Sequence, residues 1–322
     1  NGLLKTKQRQ KLSTTRRDHI LQNSIALYYQ NSVQWLEKFR TVAGVRSDLY
    51  WFDVNSNLAA NSGTVHDSMT NPKLSLIFGP WFQTEYYFNY GSSFHSNDAR
   101  GTTTTIDPKT GTPIDKVSPL VRSTGLEAGF RTAILPGLQA ALTFFRLDID
   151  SELLFVGDAG TTFATRPSTR EGFEISTFYK PMDWLTVDLD YALTKARFSD
   201  SDPAGNYIPQ AVQGVGKAAI AFNHLGPFFG SLQFRYFGKR PLIEDNSVRS
   251  KSTITLNGQV GYKIGKKVQI MLQAFNLLNS HDHAIDYFYT SRLPGESTQG
   301  IDDRHFHPIE TRSLRASIVA NF

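Results

Sequence analysis

Along most of this chain apolar and polar residues alternate one by one. In "DWLTVDLDYALTKARF" (183–198), Leu185, Val187, Leu189, Tyr191 and Leu193 alternate with Thr186, Asp188, Asp190, Ala192 and Thr194. Successive strand side chains point to opposite faces, so the segment is a ribbon with one apolar and one polar face. The same reading predicts strands near 19–31, 35–54, 71–79, 82–94, 121–133, 138–149, 169–180, 184–197, 213–224, 228–239, 252–264, 267–279 and 309–322. Residues 2–12 add part of another, giving about thirteen or fourteen strands. No period of 3.6 persists, which excludes an α/β arrangement.

The predicted connections alternate in length. Short ones fall at "NSVQ" (31–34), "GPW" (79–81), "ILPG" (134–137), "PMD" (181–183), "LGP" (225–227) and "IGKK" (264–267). Long ones cover about 55–70, 95–120, 150–168, 198–212, 240–251 and 280–308, and are rich in Gly, Ser, Thr, Asp and Asn. Tight turns at one end and elaborated loops at the other describe an antiparallel up-and-down sheet. Outer-membrane β-barrels show this asymmetry, with short periplasmic turns and long extracellular loops. A Greek-key sandwich gives no reason for it.

Aromatic placement decides which solvent the apolar face meets. Trp35, Trp81 with Phe82, Tyr179 with Trp184, Phe228 with Phe229, and Tyr262 each sit beside a short connection. Amphipathic rings collect at the headgroup level of a membrane. A second cluster, Tyr50, Trp51 and Phe52, lies toward the other end of the longest predicted strand. The apolar residues of 185–193 are therefore expected to face lipid, and Asp188 and Asp190 a hydrated lumen; the reverse would bury two carboxylates in hydrocarbon. In "TITLNGQVGYK", Ile254, Leu256, Val260 and Tyr262 face out while Thr253, Thr255, Asn257 and Gln259 face in. A closed transmembrane barrel is expected, because an open sheet edge goes unsatisfied in lipid.

Composition narrows the alternatives. The 322 residues include no cysteine, which removes disulfides, thiolate metal sites and catalytic thiols. A net charge of +5 spread along the chain argues against nucleic-acid binding. No apolar run approaches the ~20 residues of a membrane helix. The sequence starts at Asn1 without a leader-like segment, which suggests processing or a piece of something longer. No phosphate loop, zinc spacing or nucleophile elbow occurs, so neither enzymatic activity nor a cofactor is expected.

Several segments resemble the C-terminal part of TonB-dependent outer-membrane receptors. They are "STGLEAGFRT" (123–132), "GLQAALTFFRLDIDSELL" (137–154), "TREGFEISTFYKPMDWLTVDLDYALTKARF" (169–198), "NYIP" (206–209), "QAFNLLN" (273–279) and "RSLRASIVANF" (312–322). Gln210-Ala211-Val212 departs from the second Pro usual after "NYIP", whereas the terminal amphipathic strand ending on Phe322 resembles the assembly signal of such barrels. The resemblance implies a 22-stranded barrel filled by an N-terminal plug. It also implies a Gram-negative outer membrane with lipopolysaccharide, a periplasmic C-terminus, and active TonB-driven uptake of a scarce nutrient, foremost a ferric siderophore. Neither plug nor TonB-contacting box is found in the sequence, so the whole chain 1–322 is read as one barrel domain, part of a larger one.

The best candidate ligand site is the segment 280–308. It holds His281, His283, Tyr287, Tyr289, Arg292, Asp302, Asp303, Arg304, His305 and His307. Imidazole and carboxylate can bind metal, and Arg with aromatics can grip an anionic, catecholate-like chelate. A siderophore already saturates its iron, so no protein metal site is expected. Arg240 and Arg249 on a neighbouring loop could attract an anionic ligand or lipopolysaccharide phosphates. Glu127, Arg131, Asp188, Asp190, Arg235 and Arg315 are expected on lumenal faces, bonding plug and water. Two rivals remain: a self-contained 14-stranded passive channel, with residues 2–12 paired to the last strand, and a soluble carbohydrate-binding sheet.

Overall fold

The computed structural model describes residues 5–7, 10–13, 16–108, 110–156, 161–164 and 166–321. A short hairpin comes first, β1 (Lys5–Lys7) with β2 (Gln10–Ser13). Six strands follow: β3 (Asp18–Leu36), β4 (Phe39–Ser56), β5 (Gly63–Trp81), β6 (Thr84–Ser96), β7 (Leu120–Thr132) and β8 (Leu138–Ile149). A second small hairpin pairs β9 (Leu153–Val156) with β10 (Thr161–Ala164). Then come β11 (Ser168–Met182), β12 (Leu185–Phe198), β13 (Gly214–Leu225), β14 (Phe228–Phe237), β15 (Thr253–Ile264) and β16 (Val268–Phe275). A third hairpin, β17 (His283–Ser291) with β18 (Ile301–Pro308), precedes β19 (Ser313–Ala320). Leaving out the three hairpins, thirteen strands form one antiparallel sheet in chain order, from β3 to β19.

All the short connections lie at one end of the sheet and all the long ones at the other, as the alternation of lengths requires. Some boundaries differ from the sequence reading. Residues 31–34 continue the ladder, with Asn31 opposite Ala43 and Ser32 opposite Val42, and the turn is at 37–38. Residues 79–81 also stay in strand; the turn is Phe82–Gln83, at φ 49° and 59°. Both residues are left-handed, as a two-residue hairpin of primed type requires. Polar or Gly-Pro residues near a strand end look like turns, but cross-strand hydrogen bonds decide the register. The strand expected at 71–79 starts at Gly63, because residues 63–70 pair with 47–54.

The longest correction concerns 280–308, expected as an irregular loop. Most of it is the β17–β18 hairpin. Residues 5–7 and 10–13 pair with each other rather than with β19, so the ladder demanded by a 14-stranded channel is not formed among the described residues. The strands β3 and β19 are the two edges of the sheet and are not bonded to each other, so the sheet is not closed. Phe322 lies outside the described residues.

One face of the sheet is apolar and open. Val187, Ile220 and Leu232 share one row across three strands, and Ile220 is 50% exposed. Leu189, Leu193, Val260, Ile270, Leu272, Leu314 and Ile318 are likewise exposed. In water each such side chain would forgo about 1.5–3 kcal/mol of burial, a loss no stable soluble sheet accepts over thirteen strands. The row Phe144–Phe173–Leu193 is followed outward by Arg146–Glu171–Lys195, which ends the apolar band. From Leu185 to Leu193 the band runs about 26 Å along the strand at ~3.3 Å per residue, matching the ~25 Å apolar belt of membrane barrels. Trp35, Trp81, Phe82, Trp184, Phe228 and Tyr262 are exposed near the short-turn end, where a girdle belongs.

The aromatic cluster at 50–52 divides between the faces. Trp51 is exposed on the apolar side, whereas Phe52 is fully buried on the other. There Phe52 and Val54 pack with Ala99 and Leu120 under the short helix α1 (Ala99–Thr103). Tyr50 stacks on Phe52 and meets Phe94 edge-on. The long 97–119 connection therefore folds back over the polar face at the long-loop end. Asn61 fastens it from below, donating to the Ile106 carbonyl at 2.8 Å and accepting from the Thr105 and Ile106 amides.

Candidate functional site

At the long-loop end three connections converge on one buried charge cluster. Arg240 and Asp286 are both buried, with Nη2 and Oδ2 4.0 Å apart. The other Asp286 oxygen lies 2.6 Å from Nδ1 of His283, whose ring lies flat on Phe306 at 3.7 Å. Gln210 ties the cluster to the preceding connection: its amide donates to the Asp286 carbonyl at 2.6 Å, and its Oε1 accepts from Arg240 Nε at 2.9 Å. Burial pushes the Arg240 guanidinium below its ordinary pKa, and the Asp286 carboxylate works in the opposite direction. The base of the hairpin is fixed through Asp282, which accepts from the Ile254 amide at 2.8 Å. Asn276 donates to the carbonyls of Ser280 and Glu310, both at 3.0 Å.

On this base the hairpin carries a stack of rings. His305 lies flat on Tyr289 at 3.9 Å, and Tyr287 meets His307 edge-on at 6.1 Å. Arg304 is exposed, with Nη1 3.5 Å from the Arg249 carbonyl. Asp303 accepts from the Arg304 amide at 2.6 Å, Thr290 donates to Asp302, and Arg292 donates to the Glu296 carbonyl at 3.1 Å. Arg249 is half-buried and holds Asn246 at 2.8 Å and Gln213 at 2.6 Å. Of the residues singled out from sequence, His281, Arg292, Asp302, Asp303, Arg304 and His307 are open to solvent. His283 and Arg240 are instead locked inside the knot. Sequence reasoning missed Gln210 and Asp286; Gln210 was visible only as the departure from a Pro, and it has φ 69°.

A second arginine joins three further segments. Arg166 donates from Nε to both oxygens of Asp200 at 2.8 Å, from Nη1 to Glu244 at 2.8 Å and from Nη2 to the Gly205 carbonyl at 3.0 Å. Its guanidinium also covers the Phe198 ring at 4.3 Å. The hydrogen bonds from Arg166 hold the Asp200 carboxyl below its ordinary pKa. A depressed carboxylate pKa means the clasp is complete above the unfolded value of ~3.9 and is lost as pH falls through the folded one. Hydrogen exchange of residues 199–213 should therefore stay slow from pH 7 to about 4 and accelerate below it. An Asp200→Asn variant should show no such step.

Ion pairs and hydrogen bonds join neighbouring strands across the polar face of the sheet. Lys217 Nζ lies 3.0 Å from both oxygens of Asp188 and 3.5 Å from Asp190, and Ser176 donates to Asp190 at 2.8 Å. Arg235 sits directly opposite Lys217, and Arg315 opposite Gln273. Arg131 donates to Glu85 at 2.7 Å, and Asn89 to Glu127 at 3.1 Å. Among the described residues no group of three or more His, Asp or Glu side chains gathers to hold a metal ion.

The profile of the family described as "TonB dependent receptor-like, beta-barrel" matches residues 4–277. The chain belongs to that family. Solved structures agree on the fold of this receptor barrel. The ferric-catecholate import receptor Fiu of E. coli K12, in its closed form, superposes with a TM-score of 0.73 at 17% identity, covering 97% of this chain and 47% of Fiu. The ferric yersiniabactin uptake receptor FyuA of Yersinia pestis gives 0.71 at 14% identity, with 95% and 47% covered. The copper transporter OprC gives 0.69 at 14%, with 94% and 50% covered. The receptor barrel described here thus spans about half the length of the solved structures it matches. Its open apolar face is that of an outer-membrane barrel, and the reading as a soluble carbohydrate-binding sheet falls with it.

Proposed function

We propose that this chain is the barrel portion of a receptor that takes up a metal chelate, foremost a ferric siderophore, across the outer membrane in a TonB-dependent way. The observation that supports it best is the hairpin at the long-loop end. A buried Arg240–Asp286–His283 base holds it firmly, while Arg292, Arg304, His281 and His307 remain exposed around stacked rings. Guanidinium and aromatic groups suit a large anionic chelate carrying its own metal. In this reading the polar face, with Glu127, Arg131, Asp188, Asp190, Arg235 and Arg315, lines the bore and meets a plug. Plug and TonB contact come from the remainder of the full-length protein. The short turns are periplasmic and β19, which runs toward them, brings the C-terminus there. Exposed Lys239 and Lys251, with Arg249, flank the outer rim, where lipopolysaccharide phosphates lie.

The test is growth of an iron-limited strain whose own siderophore receptors are deleted, complemented with the full-length receptor. Ferric chelates should restore growth only when TonB is present. Arg304→Ala should weaken the chelate's binding about tenfold, as expected for losing a charged hydrogen-bond donor. Indifference to iron, combined with a response to cobalamin or a sugar, would sink the assignment.

A further inference from the structure

The apolar band ends in charge along one stretch of the outer rim. On β8, β11 and β12 its last row is Phe144, Phe173 and Leu193. Two residues nearer the long loops the same face carries Arg146, Glu171 and Lys195, and two beyond those Asp148, Thr169 and Arg197. At ~3.3 Å per residue the first charged row stands about 7 Å outside the last apolar one. The rings below are continuous, with Phe173 6.3 Å from Phe144 and 6.1 Å from Tyr191. Leu126 bounds the patch on one side, opposite Arg146, and Gly214 on the other, opposite Leu193.

The charges of this patch are open to exchange. Arg146 donates to Asp148 at 3.0 and 3.1 Å and to Glu171 at 3.0 Å, and all three side chains are about half exposed. Ion pairs that exposed contribute little, so a competing anion can take over the guanidinium. Lys195 is exposed and has no carboxylate or hydrogen-bond partner among the described residues. Arg197 is fixed with its guanidinium 3.6 Å over the Tyr207 ring. Three cations against two carboxylates leave the patch positive. A lipid whose chains lie on the rings below carries its headgroup at this level. A phosphate monoester there supplies about two negative charges and three acceptor oxygens, whereas a zwitterionic headgroup brings a cation of its own.

We infer that Arg146, Lys195 and Arg197, with the rings of Phe144 and Phe173 beneath them, form a docking surface for an outer-leaflet lipid whose headgroup carries a phosphate monoester. The cations hold the phosphate and the rings hold the first part of the acyl chains. The inference rests on the open apolar face meeting lipid, and not on which cargo the receptor carries.

Native mass spectrometry of the full-length receptor in detergent tests it, with dioleoyl phosphatidic acid and dioleoyl phosphatidylcholine as probes. The two lipids have the same chains and differ only in the headgroup. Phosphatidic acid should stay bound to the receptor in preference to phosphatidylcholine. The double variant Arg146→Gln, Lys195→Gln should bind phosphatidic acid about tenfold more weakly, having lost two charged donors. Lys73→Gln, which removes a charge from the polar face, should bind as the unaltered receptor does. Heat-modifiable migration on gels confirms that each variant has formed its barrel. Inorganic phosphate in about tenfold excess should not displace the lipid, because it brings no apolar chains to the rings. Equal binding of the two lipids, equal binding by the double variant, or displacement by inorganic phosphate overturns the inference. A receptor that selects phosphatidic acid through these residues yet ignores iron chelates would refute the cargo proposed above and leave this surface standing.

Discussion

Replacing Ile220 by Arg should destabilise the barrel by about 2–4 kcal/mol, the penalty for a cation at the lipid face near the bilayer midplane. Ile220 stands between Val187 and Leu232 in the middle of the apolar band and is half exposed to the surroundings. Gln233→Arg is the matched control. Gln233 lies one position further along β14 from Leu232, opposite Ala219 and Asn257 on the polar face. A cation there stays hydrated, so the control should change stability by less than about 1 kcal/mol. Urea titration of the full-length receptor refolded into lipid vesicles measures both. Equal losses in the two variants would mean that the two faces do not meet different solvents.

The second large effect is expected at Asp286. An Asp286→Ala change leaves the buried Arg240 guanidinium without a counter-charge and removes the partner of His283. Breaking a buried pair from one side costs about 3–5 kcal/mol. Because the pair belongs to the loop knot and not to the sheet, the loss should be local. Amide exchange in Ile285–Ser291 and Ile301–Pro308 should accelerate by about two to three and a half orders of magnitude, since each tenfold corresponds to ~1.4 kcal/mol. Exchange in Leu185–Phe198 should not change. Asp286→Asn, which retains size but not charge, should fall between. If the hairpin exchanges at its original rate in Asp286→Ala, the buried charges do not hold it.

The hairpin is firm at its base and polar at its tip, an arrangement that presents side chains without spending binding energy on ordering the loop.

Much of the fold was legible because a strand in a membrane barrel has two solvents and a period of two. Thirteen ribbons, their sequential order and the short-turn end follow from alternation, loop length and the ring residues Trp35, Trp81, Trp184 and Tyr262. Faces were legible too: Leu189 is open on one side, and Asp188 meets Lys217 on the other. The candidate site was legible only as a composition. Its arginines, imidazoles and rings stood out in 280–308, but which of them would be buried did not.

Alternation along the chain therefore fixes the local pattern, since parity alone settles the face of each strand residue. Tertiary structure decided whatever depends on distant segments meeting. It placed turns at 37–38 and 82–83 through cross-strand hydrogen bonds, and converted a polar loop into the β17–β18 hairpin. It chose Asp286, Gln210 and Arg240 as a knot drawn from three connections. It also brought Gly44, Gly91 and Gly125 into one row with Lys73, although they lie tens of residues apart. The physical reason is register: alternation fixes the side a residue faces, but only the pairing of whole strands fixes which residues stand beside it.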